Sequence, residues 1–178
     1  MSPQRVLEAL RKPDLLGRAL WRLRSAAHLW RLRRAGVVIG ERTTINPWVT
    51  IMDSRLVTIG SDCSISGAVF ATHSGYDRIA SRLLGKRIDT RRPIVIGDRC
   101  FVGAGSVIKA GVTIGSDVIV CMGAIVFSDA PAGMVMRGNP AVPVGKTIDY
   151  LARLDARATA EKPATRSNVK MPLIVTRA

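Results

Sequence analysis

The sequence is poor in aromatic rings, in cysteine, in histidine and in acid. Phenylalanine, tryptophan and tyrosine make up 4 % of its 178 residues, so any core must be built from isoleucine, valine, leucine and alanine. Three cysteines with no CxxC pair exclude a disulfide framework and a structural zinc site. Two histidines, His28 and His73, cannot make a three-histidine metal centre, and no metal is expected. No apolar run reaches the ~18 residues needed to cross a bilayer. None follows Arg5, Arg11 and Lys12 as it would in a secretory leader, so the expected compartment is the cytoplasm.

What is abundant is base. Lys and Arg number 27 against 13 Asp and Glu, a net charge of +14, which implies an anionic partner. Residues 1–34 hold nine basic and two acidic residues, and residues 151–178 hold six and two. The intervening 35–150 hold twelve and nine, so most of the excess lies in the arms. The first arm (residues 1–36) reads as a helix from about Asp14 to Arg34, started by Pro13-Asp14 and ended by Gly36. Leu16, Leu20, Leu23, Ala27 and Trp30 fall on one face, among Arg18, Arg22, Arg24, Arg31, Arg33 and Arg34. Such a basic amphipathic helix either lies in an anionic membrane interface, at the inner face of the membrane, or packs on its own domain or a neighbouring subunit. The last arm (146–178) reads as a short helix over 147–158 and a solvated basic tail from 159. Aromatic residues are not interleaved with the basic ones outside the first helix, and no specific nucleic-acid partner is expected.

Between the arms runs a repeat. From residue 96 an aliphatic side chain returns at every sixth position: Ile96, Val102, Ile108, Ile114, Val120, Val126. Ile, Leu and Val are about a quarter of the chain, so six such hits in phase arise on the order of once in several thousand trials. Upstream the rule runs through Ile39, Ile45, Ile51, Ile59, Ile65 and Ala71, with two extra residues before Ile59. Glycine follows the anchor at 40, 60, 97, 103 and 115, where tolerance of unusual backbone angles suits a corner. The fourth residue after each anchor is small or β-branched, as at Thr43, Val49, Cys63, Val69, Cys100, Ser106, Val112, Val118, Ala124 and Ala130, with Arg55 the exception. Cys63 and Cys100 are thereby placed inside. Two inward side chains per six residues fit neither a helix nor an alternating strand. They fit short strands joined by sharp corners, stacked as coils around a narrow aliphatic core: an all-β prism over residues 37–145.

The repeat has one long break. After Ala71 the phase resumes only at Ile96, and the excursion 72–93 carries Arg78, Arg82, Lys86, Arg87, Arg91 and Arg92 against Asp77 and Asp89. A loop of that charge suits the phosphates of a nucleotide-like molecule or an anionic substrate. His73 sits where coil gives way to loop. An imidazole there can take a proton from a hydroxyl near neutral pH, the work of a general base.

These segments resemble the hexapeptide-repeat acyltransferases, and in particular the maltose, galactoside, nodulation-type and polysaccharide sugar O-acetyltransferases. The likeness is carried by Val57-Thr58-Ile59-Gly60-Ser61-Asp62, Ala71-Thr72-His73, Arg92-Pro93-Ile94-Val95-Ile96-Gly97-Asp98, Val102-Gly103-Ala104-Gly105, Gly111-Val112-Thr113-Ile114-Gly115 and Gly138-Asn139-Pro140-Ala141. The resemblance implies a left-handed parallel β-helix with three hexapeptides per coil, about four coils from twelve anchors, and a homotrimer with active sites between subunits. It implies acetyl-CoA as donor, a sugar or glycan-precursor hydroxyl as acceptor, and His73 as base. Asn46 falls at the family's asparagine position and Asp53 at or beside its acidic one, for acceptor positioning and for an electrostatic partner to the base. The coenzyme contacts carry over to Ala104, Met122 and Phe127-Ser128. Relatives commonly have Thr-Lys where Phe127-Ser128 stands, and Arg137 or Lys146 is the candidate for the missing charge. An amino-sugar N-acetyltransferase, an antibiotic acetyltransferase and a non-catalytic β-helical scaffold are the alternative readings. Three zinc-binding histidines of a carbonic-anhydrase-type β-helix cannot be assembled here.

Overall fold

A computed structural model describes residues 15–160, except the side chains of 15–19, 21, 158 and 160. The helix start expected at Pro13-Asp14, the side chain of Leu16 and the tail from 161 lie outside the described residues.

Short strands follow one another in threes. The first turn has β1 (Val38–Ile39), β2 (Thr44–Ile45) and β3 (Thr50–Ile51), and the second β4 (Val57–Ile59), β5 (Ser64–Ile65) and β6 (Val69–Ala71). The third has β7 (Ile94–Ile96), β8 (Phe101–Val102) and β9 (Val107–Lys109), and the fourth β10 (Thr113–Ile114), β11 (Ile119–Val120) and β12 (Ile125–Val126). Each strand pairs in parallel with its counterpart one turn on, giving a first sheet β1-β4-β7-β10 and a third sheet β3-β6-β9-β12. The second sheet runs β2-β5-β8-β11 and is extended by β13 (Met134–Gly138), with β14 (Ala141–Lys146) returning antiparallel at its edge.

The pairing register stacks the anchors. Ile39, Ile59, Ile96 and Ile114 form one column, and Ile45, Ile65, Val102 and Val120 a second. The third column holds Ile51, Phe70, Ile108 and Val126. Phe70 therefore takes the place expected for Ala71, and Ala68 the inward place expected for Val69. The corner Ser66-Gly67 is one residue shorter than Asn46-Pro47-Trp48, and in a strand a slip of one residue exchanges the inner and outer faces. Phe70 and Ala68 are fully buried, whereas Val69 and Ala71 are half-exposed.

A second correction concerns the corner glycines. None of Gly40, Gly60, Gly97, Gly103 and Gly115 has a left-handed backbone. They are required by close approach: a Cβ on Gly103 would stand 2.6 Å from the Met122 amide nitrogen, and one on Gly60 2.7 Å from the Gly97 carbonyl carbon. The left-handed corner positions are instead Arg42, Asp62, Arg99 and Asp117, with φ of 52 to 62°. These four stack as a ladder of alternating charge, Arg42 bidentate on Asp62 at 2.6 and 2.7 Å and Arg99 on Asp117 at 2.6 and 2.8 Å.

Helix α1 (Leu15–Arg34) ends at Gly36, whose φ is +106°. Its packing face is not the one expected. Leu32 is buried in the core and Leu29 packs against it, with Ser25 and His28 half-buried beside them. Burial, and then Arg31, hold the His28 pKa below its ordinary 6.5. Leu20, Leu23, Ala27 and Trp30, the stripe read from spacing, all face away and are exposed. The excursion, expected as a loop, contains α2 (Asp77–Leu84), closed by Gly85 at φ +61°. Helix α3 (Thr147–Ala160) reaches two residues past the expected 158.

Candidate active site

Where strands of the third sheet end, the chain turns a corner toward the first sheet, and the excursion leaves from this corner. β3 is followed by Met52-Asp53 and β6 by Thr72-His73; because these strands pair, Asp53 and His73 lie on the same corner one turn apart. The link between them is Thr72, which is fully buried. Its Oγ1 accepts the Asp53 N–H at 3.1 Å and lies 3.5 Å from His73 Nδ1, the outer limit of a hydrogen bond. The Asp53 carboxylate turns to its own chain, accepting the Arg55 N–H at 3.1 Å and capping the single 3-10 turn Ser54–Leu56.

The excursion is clasped at its base. The Arg92 N–H donates to the Thr72 carbonyl at 3.0 Å. The Thr90 hydroxyl accepts the Ser74 N–H at 3.0 Å and donates to the Asp77 carboxylate. The result is a cavity of about 720 Å³ between the third sheet and α2, a size suited to a small molecule. The sheet contributes Ala71, Val107, Lys109, Ile125 and the adjoining Phe127; the excursion contributes His73, Tyr76, Leu84, Ile88, Thr90 and Arg92. Lys109 Nζ stands 5.9 Å from the Phe127 ring centroid.

Few of the excursion's cations reach this cavity. Arg92 lines it, while Arg91 is held on Asp89 at 2.7 Å and Arg78, Arg82, Lys86 and Arg87 are exposed outside it. The hydrogen bonds from Arg91 hold the Asp89 carboxyl well below the usual carboxylate range. Asp89 in turn raises the Arg91 pKa, with smaller contributions from Asp53 and Asp77. The positive charge on the cavity floor comes from Lys109, a residue that the charge count of the loop passes over. Thr72, Thr90 and Lys109 are the residues that sequence reasoning missed. Lys109 was within reach: it follows Ile108 as Phe127 follows Val126, and counting anchors in threes stacks both on the third sheet.

The remaining candidates divide between two other places. Asn46, Ala104 and Met122 stack along the corner between the second and third sheets, with the Gly123 N–H donating to the Ala104 carbonyl at 3.0 Å. Asn46 Oδ1 accepts the Trp48 N–H at 2.9 Å, a turn-forming bond. Within one chain the third sheet separates this corner from His73. Ser128 follows Phe127 on the His73 corner and is exposed. Arg137 and Lys146 sit on the terminal strand pair, Lys146 lining a separate cavity of about 410 Å³ against α3.

Residues 93–128 match the family described as the hexapeptide repeat of succinyl-transferase. The putative colanic acid biosynthesis acetyltransferase WcaF of Escherichia coli K12 is 29 % identical over 113 residues, covering 64 % of this chain and 60 % of that protein. The solved hexapeptide-repeat acetyltransferase VCA0836 of Vibrio cholerae, complexed with acetyl coenzyme A, is 30 % identical with a TM-score of 0.55. The alignment covers 63 % of this chain and 61 % of that one. The polySia-specific acetyltransferase NeuO is also 30 % identical, with a TM-score of 0.56 and coverage of 66 % and 63 %. The chain spans 36 to 61 % of the length of the curated relatives that it matches most extensively. Repeat, stacked parallel sheets and relatives agree: the chain carries the hexapeptide repeat, and over about two thirds of its length it is similar to acetyltransferases that carry it.

Proposed function

We propose that the chain is an acetyl-CoA-dependent O-acetyltransferase acting on a hydroxyl of a sugar or surface-glycan precursor, as a left-handed β-helix in a cytoplasmic homotrimer. The observation that carries this reading is His73 in the wall of a cavity whose floor is cationic, at the long break in the repeat. The coenzyme complex of VCA0836 and the glycan acceptors in the names of WcaF and NeuO support the donor and the acceptor class.

In this reading the acceptor hydroxyl gives its proton to the His73 imidazole as its oxygen attacks the thioester carbonyl. The tetrahedral intermediate collapses with cleavage of the C–S bond, and the leaving thiolate takes the proton back from His73. Thr72 acts on the ring through Nδ1. When its Oγ1 accepts a hydrogen bond from Nδ1–H, the Nε2 lone pair is left free for the acceptor, so Thr72 favours the tautomer that a base needs. Lys109 and Arg92 supply a positive field for phosphates.

Calorimetry with acetyl-CoA, run on the protein and on His73→Ala, tests the reading. Saturable binding near one site per chain is expected in both. Acetyl transfer to a panel of sugars should fall by about 10²–10⁴-fold in the variant. No binding to the folded protein at low salt overturns the coenzyme assignment, and unchanged transfer by His73→Ala overturns the base.

A further inference from the structure

Helix α1 is apolar on two opposite faces, and only one of them is used. Leu29 and Leu32 pack on the coil, and Arg33 fixes the helix there by donating to the Ile39 and Gly40 carbonyls at 3.2 Å each. The opposite face presents Leu20 at 52 %, Leu23 at 67 % and Trp30 at 61 % exposure. On a helical wheel this stripe is bordered by Arg24 and Arg31 on one side, Arg34 falls within it, over the Trp30 ring at 5.4 Å, and Arg22 lies beyond Ala26 on the other side. All four arginines are exposed.

We propose that this face docks on the interface of an anionic lipid bilayer, the leucines and Trp30 entering the headgroup boundary and the arginines meeting lipid phosphates. The charge pattern selects this occupant. Residues 15–34 contain six arginines and no acid, so a second copy of the helix would set arginine borders against each other. The chain ends offer no complement either: residues 1–14 hold three basic and two acidic residues, and residues 161–178 hold four and one. Nucleic acid would suit the arginines but leaves the leucine stripe unsatisfied. A bilayer interface accommodates both, and tryptophan is enriched at that depth. At 20 residues the helix is about 30 Å long, but six arginines make it a helix that lies on a membrane, and among the described residues no helix is long and apolar enough to cross one.

The experiment is co-sedimentation of the full chain with phosphatidylcholine vesicles, with and without about 30 mol % phosphatidylglycerol. A Leu23→Ser/Trp30→Ser variant removes the two most exposed members of the stripe without altering charge, and Val142→Ser, at an exposed apolar site elsewhere, is the control. Binding to the anionic vesicles is expected, with a loss of about tenfold or more in the double variant and none in the control. Matching melting temperatures and unchanged acetyl-CoA binding establish that the variants are folded. Three results overturn the proposal. The first is no binding to anionic vesicles. The second is undiminished binding by the double variant, together with equal salt-dependent retention on duplex DNA, which marks a nonspecific polycation. The third is a fall in oligomer mass on removing the stripe, which assigns it to a second copy.

Discussion

Thr72 occupies a buried position with one hydroxyl and three claims on it: the Asp53 N–H, the His73 ring and its own proton. Of its neighbours, His73 is marked in the sequence by its chemistry and its place where coil gives way to loop, and Asp53 by the resemblance alone, whereas a threonine in a β-rich repeat looks like any outward strand residue. It falls where Phe70 has displaced Ala71 as anchor, and a strict count of six leaves it without an assigned side. Replacement by valine keeps the shape and removes the bond to Nδ1. Thr72→Val should therefore lower kcat for acetyl transfer about tenfold, with little change in the KM for acetyl-CoA, and Thr72→Ser should restore most of it. A steady-state comparison of the three proteins decides this. Equal losses in the serine and valine variants would mean that packing, not the hydroxyl, matters at this position.

At the scale of the element, the period of six held because each inward position is closed by the turn above and below. Isoleucine and valine fill the columns, and cysteine, alanine and serine fit where the corner narrows. The departures come from forces that a single period cannot carry. Phe70 could become an anchor because a corner lost one residue, a length change visible only once neighbouring turns are aligned. Spacing puts Leu20, Leu23, Ala27 and Trp30 on one face of helix α1, but which face meets the coil depends on Leu29, Leu32 and Arg33, close to the chain's entry into β1. The corner glycines are legible by position but not by cause, since what they avoid is the backbone of the next turn. Gly103→Ala tests that cause: the added methyl meets the Met122 amide at 2.6 Å, so neighbouring turns must separate. Overpacking of this kind costs about 1–3 kcal/mol. The expected fall in melting temperature is about 5 °C. Gly75→Ala, with open space at that Cβ and no left-handed φ, should melt close to the parent. Equal melting of both would refute the close-approach account.

For the molecule as a whole, the two edges of the third sheet hold complementary halves of what the resemblance implies. One edge carries His73, Asp53 and Phe127, and the other Asn46, Ala104 and Met122. Counting anchors in threes separates these edges from sequence alone, but no count shows that one chain leaves them apart. Both edges also expose large apolar side chains, Trp48 and Met122 at 76 % on one and Met52 and Phe127 at about half on the other. A head-to-tail contact between unlike edges closes into a ring when the rotation per copy divides a full turn, and the trimer implied by the resemblance corresponds to one third of a turn. Each ring contact would bring the Asn46 edge of one copy to the His73 edge of the next. Light scattering should then give roughly 58 kDa, three times the 19.2 kDa chain. Met122→Asp, which puts a charge at the centre of the contact, should yield a folded 19.2 kDa species with acetyl transfer reduced about a hundredfold or more. A monomeric parent with full activity would remove the ring and return Asn46 to its role as a turn residue. A monomeric variant that keeps full activity would confine the chemistry to the cavity beside His73.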